Sequence, residues 1–404
     1  MNSKLLTILS LILLACVFAQ PAEAAAKKLK IFILAGQSNT VGHANAHTMG
    51  ALFNADGPKD KVLADLVFGK DAKVSKQRLD ETLALAKQLN ELTDGVGDPK
   101  IKAMTDAAQK AAAEAEANRI KANLEAYKKD VIATSAVSDR VYINSIADNN
   151  RRSGKLAIGY GGNDAKIGPE YGFGLSLAQK IDGPILLIKT SWGGKSLNYD
   201  FRPPSAGPYE LNDKEKAKGN PDEIQKNAGQ FYRLMNESIH RVLDNLPENH
   251  PAYDPTAGYE ISGFVWFQGF NDQFDPAFRA NYKDNMVAFI KDIRREYKTP
   301  QMPFVIGVLG TGQTKENVDK NEVSVAQREA AATPEFKGNV VAVESYLEYA
   351  LDSLKVYNAG WQKHFYEWEL VGSDRPYHYL GAGKFFVRVG DAFASAMAGM
   401  IPER

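Results

Sequence analysis

Four short clusters in this chain carry groups from which acyl-transfer chemistry can be assembled. The first is Gly36-Gln37-Ser38-Asn39, directly after an apolar run. A glycine at a strand end permits a sharp turn, and a serine in that turn presents its hydroxyl at the sheet edge, exposed yet rigidly held, as an attacking oxygen must be. The same Gly-x-Ser turn also arises for conformational reasons alone. The second is Ser191-Trp192-Gly193-Gly194, whose paired glycines let backbone N–H groups approach a ligand, as an oxyanion hole requires. A tight strand-to-loop turn uses the same residues. The third is Trp266-Phe267-Gln268-Gly269-Phe270-Asn271-Asp272, where the amides of Gln268 and Asn271 can donate to a developing oxyanion without titrating. Their plainer role is to cap a turn. In the fourth, Asp374-Arg375-Pro376-Tyr377-His378, a carboxylate and an imidazole share one short loop. Such a pair can fix the histidine tautomer and take a serine proton, or it can be structural.

Other patterns fail. His43 and His47 stand four apart, but Ala44 occupies the position where a zinc-protease helix needs glutamate. Gly194-Lys195-Ser196 ends like a phosphate-binding loop, yet Lys189 stands where that loop needs its first glycine. His240, His250 and His364 show no partner in the sequence, and there is no G-x-S-x-G elbow. The single cysteine, Cys16, lies in the N-terminal segment, so a chain without that segment has no thiolate ligand and no cysteine nucleophile. No metal and no cofactor are expected.

The elements that must position these clusters are legible as apolar runs at 28–35, 140–146, 184–190, 261–267, 304–309 and 339–343. Helical stretches at 174–181, 227–246, 277–297, 323–332 and 383–397 alternate with them. That alternation predicts an α/β fold, a parallel sheet with helices on both faces and chemistry in the loops at the strands' carboxyl ends. From Gly69 to Ala126 there is no aromatic residue. Leucines at helical spacing predict a helical hairpin, an insertion over about 69–135, with a solvated excursion as the plain expectation and a lid or partner surface as the alternative.

Residues 1–24 read as a signal peptide: Lys4, an apolar core, then Ala22-Glu23-Ala24 as the cleavage site. Leu13-Leu14-Ala15-Cys16 also fits a lipobox, with Cys16 as a lipid-bearing N-terminus. Either way the expectation is export, periplasmic or extracellular, with residues 25–404 as the working domain and no further span of the membrane. With 49 basic against 49 acidic residues and 44% hydrophobic content, a charged stripe for nucleic acid is a poor reading.

In the order serine, glycine, asparagine, histidine, the four clusters resemble the blocks of the SGNH hydrolases. Their wording is similar to the sialate O-acetylesterase-like group, which includes acetylxylan esterases of carbohydrate esterase family six; residues 167–174 and 326–329 also look like it. The resemblance covers about 29–65 and 140–400. It implies a flavodoxin-like three-layer α/β/α fold and metal-free hydrolysis of O-acetyl esters on carbohydrates. By position, Ser38 resembles the nucleophile, His378 the general base and Asp374 its acid, while Ser38, Gly194 and Asn271 resemble the oxyanion donors with Gln268 as rival for the last role. Two departures stand out: Asp374 precedes His378 by four residues where three is frequent, and Phe270 replaces a frequent glutamate. A Ser–His dyad is the alternative to the triad. Two other functions compete: a non-catalytic glycan-binding surface protein on the same scaffold, and an esterase of non-carbohydrate esters. Trp192 and Trp266 suit sugar stacking or a core equally.

Overall fold

The computed structural model describes residues 27–54, 57–69 and 73–401; the signal-peptide cleavage site and Cys16 lie outside them. All six apolar runs are strands of one seven-stranded sheet. In chain order its strands are β1 (Leu29–Gly36), β2 (Val141–Ala147), β3 (Asn150–Lys155), β4 (Ile185–Ser191), β5 (Tyr259–Phe267), β6 (Phe304–Val308) and β7 (Val340–Glu344). They lie side by side as β3-β2-β4-β1-β5-β6-β7. Every pairing is parallel except β2 with β3. Without β2 and β3 the order reads 2-1-3-4-5, that of flavodoxin; β2 and its antiparallel hairpin partner extend one edge. Hydrophobic patterning did not reveal β3, because its sequence, Asn-Arg-Arg-Ser-Gly-Lys, is polar and largely exposed, as an edge strand can be.

β1 is central and apolar on both faces, and its side chains divide between two cores. Phe32 and Leu34 join one apolar cluster, while Leu29, Ile31, Ile33 and Ala35 join the other. Helices cover both faces. The principal ones are α1 (Ser38–Val41), α2 (Lys76–Thr93), α3 (Ala107–Thr134), α4 (Pro169–Lys180), α5 (Gln230–Leu243), α6 (Pro276–Glu296), α7 (Glu322–Ala331), α8 (Phe365–Val371) and α9 (Gly383–Met400). Local chemistry sets their ends. Asp275 caps α6 by accepting from the N–H groups of Ala277 and Phe278, with Pro276 next and Arg294 and Arg295 in the last turn.

The insertion is helical as expected, but it is not a solvated excursion. Leu79 and Leu89 of α2 and Ile120, Leu124, Tyr127 and Val131 of α3 are buried within the same cluster as Phe32 of β1. Tyr127, near the end of the insertion, supplies a buried ring, and Tyr366 and Trp368 of α8 belong to the same cluster. Hydrogen bonds pin the insertion to α8: Asn90 Oδ1 accepts from Tyr366 N, and Tyr366 Oη donates to Asp98 at 2.6 Å. Among the described residues, no helix is long and apolar enough to cross a membrane.

Candidate active site

β1 lies between β4 and β5, where a doubly wound sheet opens a crevice at its carboxyl edge. The loops after these three strands bring the serine, glycine and asparagine clusters together. Gly36 has φ +154°, and a methyl group there would lie 2.2 Å from the carbonyl oxygen of Phe267, so only glycine can make the turn. Ser38 then opens α1 and is buried to 7% exposure. Its N–H belongs to the first-turn amides that have no intrahelical acceptor. Thr40 Oγ1 donates to Phe267 O at 2.7 Å and ties α1 to β5. Behind α1, fully buried Lys189 donates to Val41 O, Tyr160 O and the Glu170 carboxylate at 2.7–2.8 Å.

The glycine loop is held from both sides. Gly193 N donates to Asp148 Oδ1 at 2.7 Å. The carboxylate of Asp272 accepts from Leu197 N and Asn198 N at 2.9–3.0 Å. Burial pushes Asp272 up to about 7, against the donation from Gln268 and these two amides. Between the tethers, Gly194 sits at φ +70°, and the nearest group to a methyl built there would be Asn271 Nδ2, at 4.0 Å.

That orientation of Asn271 is determined by Gln37. Gln37 Oε1 accepts from two backbone N–H groups, those of Gly269 and Asn271, both at 3.2 Å. Its amide nitrogen must therefore face the other way, and it donates to Asn271 Oδ1 at 3.0 Å. Asn271 can satisfy this only by turning its own NH₂ outward, toward Gly194. Gln268 is placed otherwise. Its Nε2 donates to Lys195 O and Asp272, its Oε1 accepts from Tyr282, and it is 2% exposed. The rival oxyanion donor is thus committed to holding the loop. Trp192 and Trp266 are core side chains, packed with Phe201, so neither forms a stacking surface.

The fourth cluster arrives between α8 and α9. Residues 376–381 form a tight turn in which Tyr379 and Leu380 take left-handed φ values of 50° and 64°, a conformation that costs a side chain about 1–2 kcal/mol. Burial and hydrogen bonds hold it: Tyr379 Oη accepts from Gly310 N at 2.9 Å, and Ser373 N and Asp374 N both donate to Leu380 O. The turn compensates for the four-residue spacing, since His378 Nδ1 lies 3.2 Å from Asp374 Oδ2. Burial pushes the Asp374 carboxyl up, but donation from His378 and from Arg375 N–H outweighs it and holds the group below the usual carboxylate range. With Nδ1 turned to the acid, Nε2 is the ring nitrogen left for a substrate proton. α1 packs against this turn. Among the described residues no hydrogen bond joins Ser38 Oγ to His378, a contact that commonly tightens only when substrate binds.

His43, which the sequence left without a role, lies flat on His378 with ring centroids 4.1 Å apart and 7° between planes. Its Nδ1 is 3.8 Å from Asp374 Oδ2. Burial, then the neighbouring His378, lowers it to about 4, so it is neutral at ordinary pH. Sequence spacing could not reveal this pairing across more than 300 residues. The three groups are close enough to suggest a cation site, but two parallel rings cannot both aim in-plane lone pairs at one ion. The arrangement is suited to proton transfer rather than metal binding.

Comparisons with known proteins point to a carbohydrate esterase. A family model described as carbohydrate esterase, sialic acid-specific acetylesterase, matches residues 153–347. This range holds Gly194, Gln268 and Asn271 but neither Ser38 nor the Asp374–His378 pair. No curated protein matches. Among solved structures, a protein of Arabidopsis thaliana is similar at 16% identity, covering 79% of this chain and 86% of its own, with a TM-score of 0.38. A carbohydrate acetylesterase from Xanthomonas citri gives 13% identity, 78% and 49% coverage and a TM-score of 0.36. NanS gives 12%, 52% and 69%, and 0.33. Over residues 153–347 the chain is similar to the carbohydrate esterase family described as sialic acid-specific acetylesterase, and it is a hydrolase acting on ester bonds.

Proposed function

We propose that this protein is an exported serine esterase that removes O-acetyl groups from saccharides, working as the domain 25–404 after loss of a signal peptide. Ser38 Oγ attacks the acetyl carbonyl while His378 Nε2 takes its proton and Asp374 steadies the imidazole. The oxyanion lies among the N–H groups of Ser38 and Gly194 and the Asn271 amide. Collapse expels the sugar oxygen, which His378 protonates, and leaves an acetyl group on Ser38. Water activated by His378 then releases acetate.

One observation carries this reading: Gln37 orients the Asn271 NH₂ toward Gly194, beside the turn that holds Ser38. Such a preset pair of donors suits a developing negative charge better than it suits a neutral ligand. The test is acetate release from a panel of acetylated saccharides by wild type and Ser38→Ala. Wild type should release acetate and Ser38→Ala should not. A Ser38→Ala protein of undiminished activity would refute the serine mechanism. Equal hydrolysis of simple alkyl acetates and acetylated sugars would favour the non-carbohydrate esterase.

A further inference from the structure

Phe270 and Tyr377 are the sequence neighbours of Asn271 and His378, and neither takes part in the chemistry above. Their rings nevertheless meet, with centroids 5.8 Å apart. Tyr377 stands edge-on to His378 at 4.5 Å, and Phe270 in turn meets Phe274 at 5.2 Å. The result is a continuous row of rings leading from the imidazole out to solvent. Tyr377 is 43% exposed and Phe274 68%, a large apolar surface to leave in water at the edge of a catalytic crevice. The row borders a cleft of about 630 Å³, within the roughly 300–1,000 Å³ of small-molecule sites. The amides of Gln273 and Asn317 lie on its wall, within the same space as the rings. Aromatic faces beside hydrogen-bonding amides match a pyranose, which has apolar C–H faces and a polar rim.

We infer that Phe270, Tyr377 and Phe274 form a saccharide subsite beside the reaction centre, and that the substrate is an oligosaccharide or polysaccharide rather than a single sugar. The inference rests on the esterase reading. The row is longer than one sugar ring: the unit carrying the acetyl group occupies the crevice at Ser38, and the following units lie along Tyr377 and Phe270. Binding energy from these distant units then positions the ester.

The experiment compares kcat/KM for an acetylated oligosaccharide, the matching acetylated monosaccharide and triacetin, which has no sugar ring. Wild type should prefer the oligosaccharide over the monosaccharide by about tenfold, the scale of one or two ring contacts. The double variant Phe270→Ala/Tyr377→Ala should lose that preference, chiefly through KM, whereas Tyr377→Phe should keep it. Binding of the deacetylated oligosaccharide to Ser38→Ala, measured calorimetrically, should weaken similarly when the two rings are removed. If wild type treats oligosaccharide and monosaccharide alike, or if the double variant keeps the preference, the subsite is overturned while the esterase reading stands. Absence of acetate release from all three substrates would instead fail the esterase reading.

Discussion

Asp374 and His378 show how a turn can override a spacing. Four residues apart, they still meet at 3.2 Å because Tyr379 and Leu380 accept left-handed backbone to close the loop. Loss of His378 as alanine should cost activity on the same scale as loss of Ser38, and the double variant should be little worse, since the two act as one unit. Asp374→Asn should cost less, on the order of 10–10³-fold in kcat, because an orienting acid is partly replaceable. Full kcat in that variant would leave the Ser–His dyad. Gln37 permits a finer test. A glutamate there still accepts from Gly269 N and Asn271 N, but it can no longer donate to Asn271 Oδ1. The Asn271 amide should flip, moving its NH₂ away from Gly194. Gln37→Glu should therefore lower kcat by roughly 10²–10³-fold, the cost of losing one oxyanion donor, with KM little changed. Steady-state kinetics on one acetylated saccharide reads both parameters. Ser38, Gly194 and Asn271 stand out in the sequence because each sits in a short block at a strand end, and His378 because it sits in a short block before the last described helix. Gln37, Asp148 and His43 do not, because their roles depend on partners that only the fold brings near.

Among the elements, the insertion departs most from expectation. An Ala-, Lys- and Glu-rich stretch with no aromatic residue from 69 to 126 reads as solvated, and composition gave no sign that its leucines share a core with rings outside that stretch. α2 and α3 bury Leu89, Ile120 and Leu124 against the core, and they hold α8, which leads into the Asp374–His378 turn. Excising 76–134 behind a short linker should abolish the cooperative melt, which a merely solvated excursion would not do. Leu124→Ala alone should cost about 2–5 kcal/mol, as for other fully buried leucines. Differential scanning calorimetry checks both. The strands, by contrast, were legible almost to the residue, because a strand buried on both faces must be continuously apolar. Among the described strands of the seven-stranded sheet, β3, polar and at the edge, escaped.

Across the whole molecule, proton binding should couple to stability through His47. Its Nε2 donates to Glu369 O at 2.8 Å, and burial lowers it to about 4 from an ordinary 6.5. The unfolded chain therefore binds this proton more readily than the folded one between those values. The contribution of a neutral His47 is complete above about pH 6.5 and is lost as pH falls toward 4. Measured as the difference in unfolding free energy between wild type and His47→Gln, the advantage of wild type should shrink steadily across that window. A pH-independent difference would show that His47 titrates alike in both states and would overturn the coupling. The same contact fastens the stretch after β1 to the end of α8; protonation keeps that bond and costs stability through burial of the charge.

The central position of β1 also sets the order in which the molecule can be made. The first strand to emerge during synthesis finds both of its neighbours only in residues 185–191 and 259–267, and Ser38 meets its histidine only after residue 378 has appeared. No N-terminal fragment can close the sheet around β1 or assemble the reactive centre, so the growing chain stays incomplete almost to its last helix. Long-range parallel pairing of this kind is slow, because loop closure must precede its reward. Under the proposed export, that delay would leave the chain threadable until translocation is done.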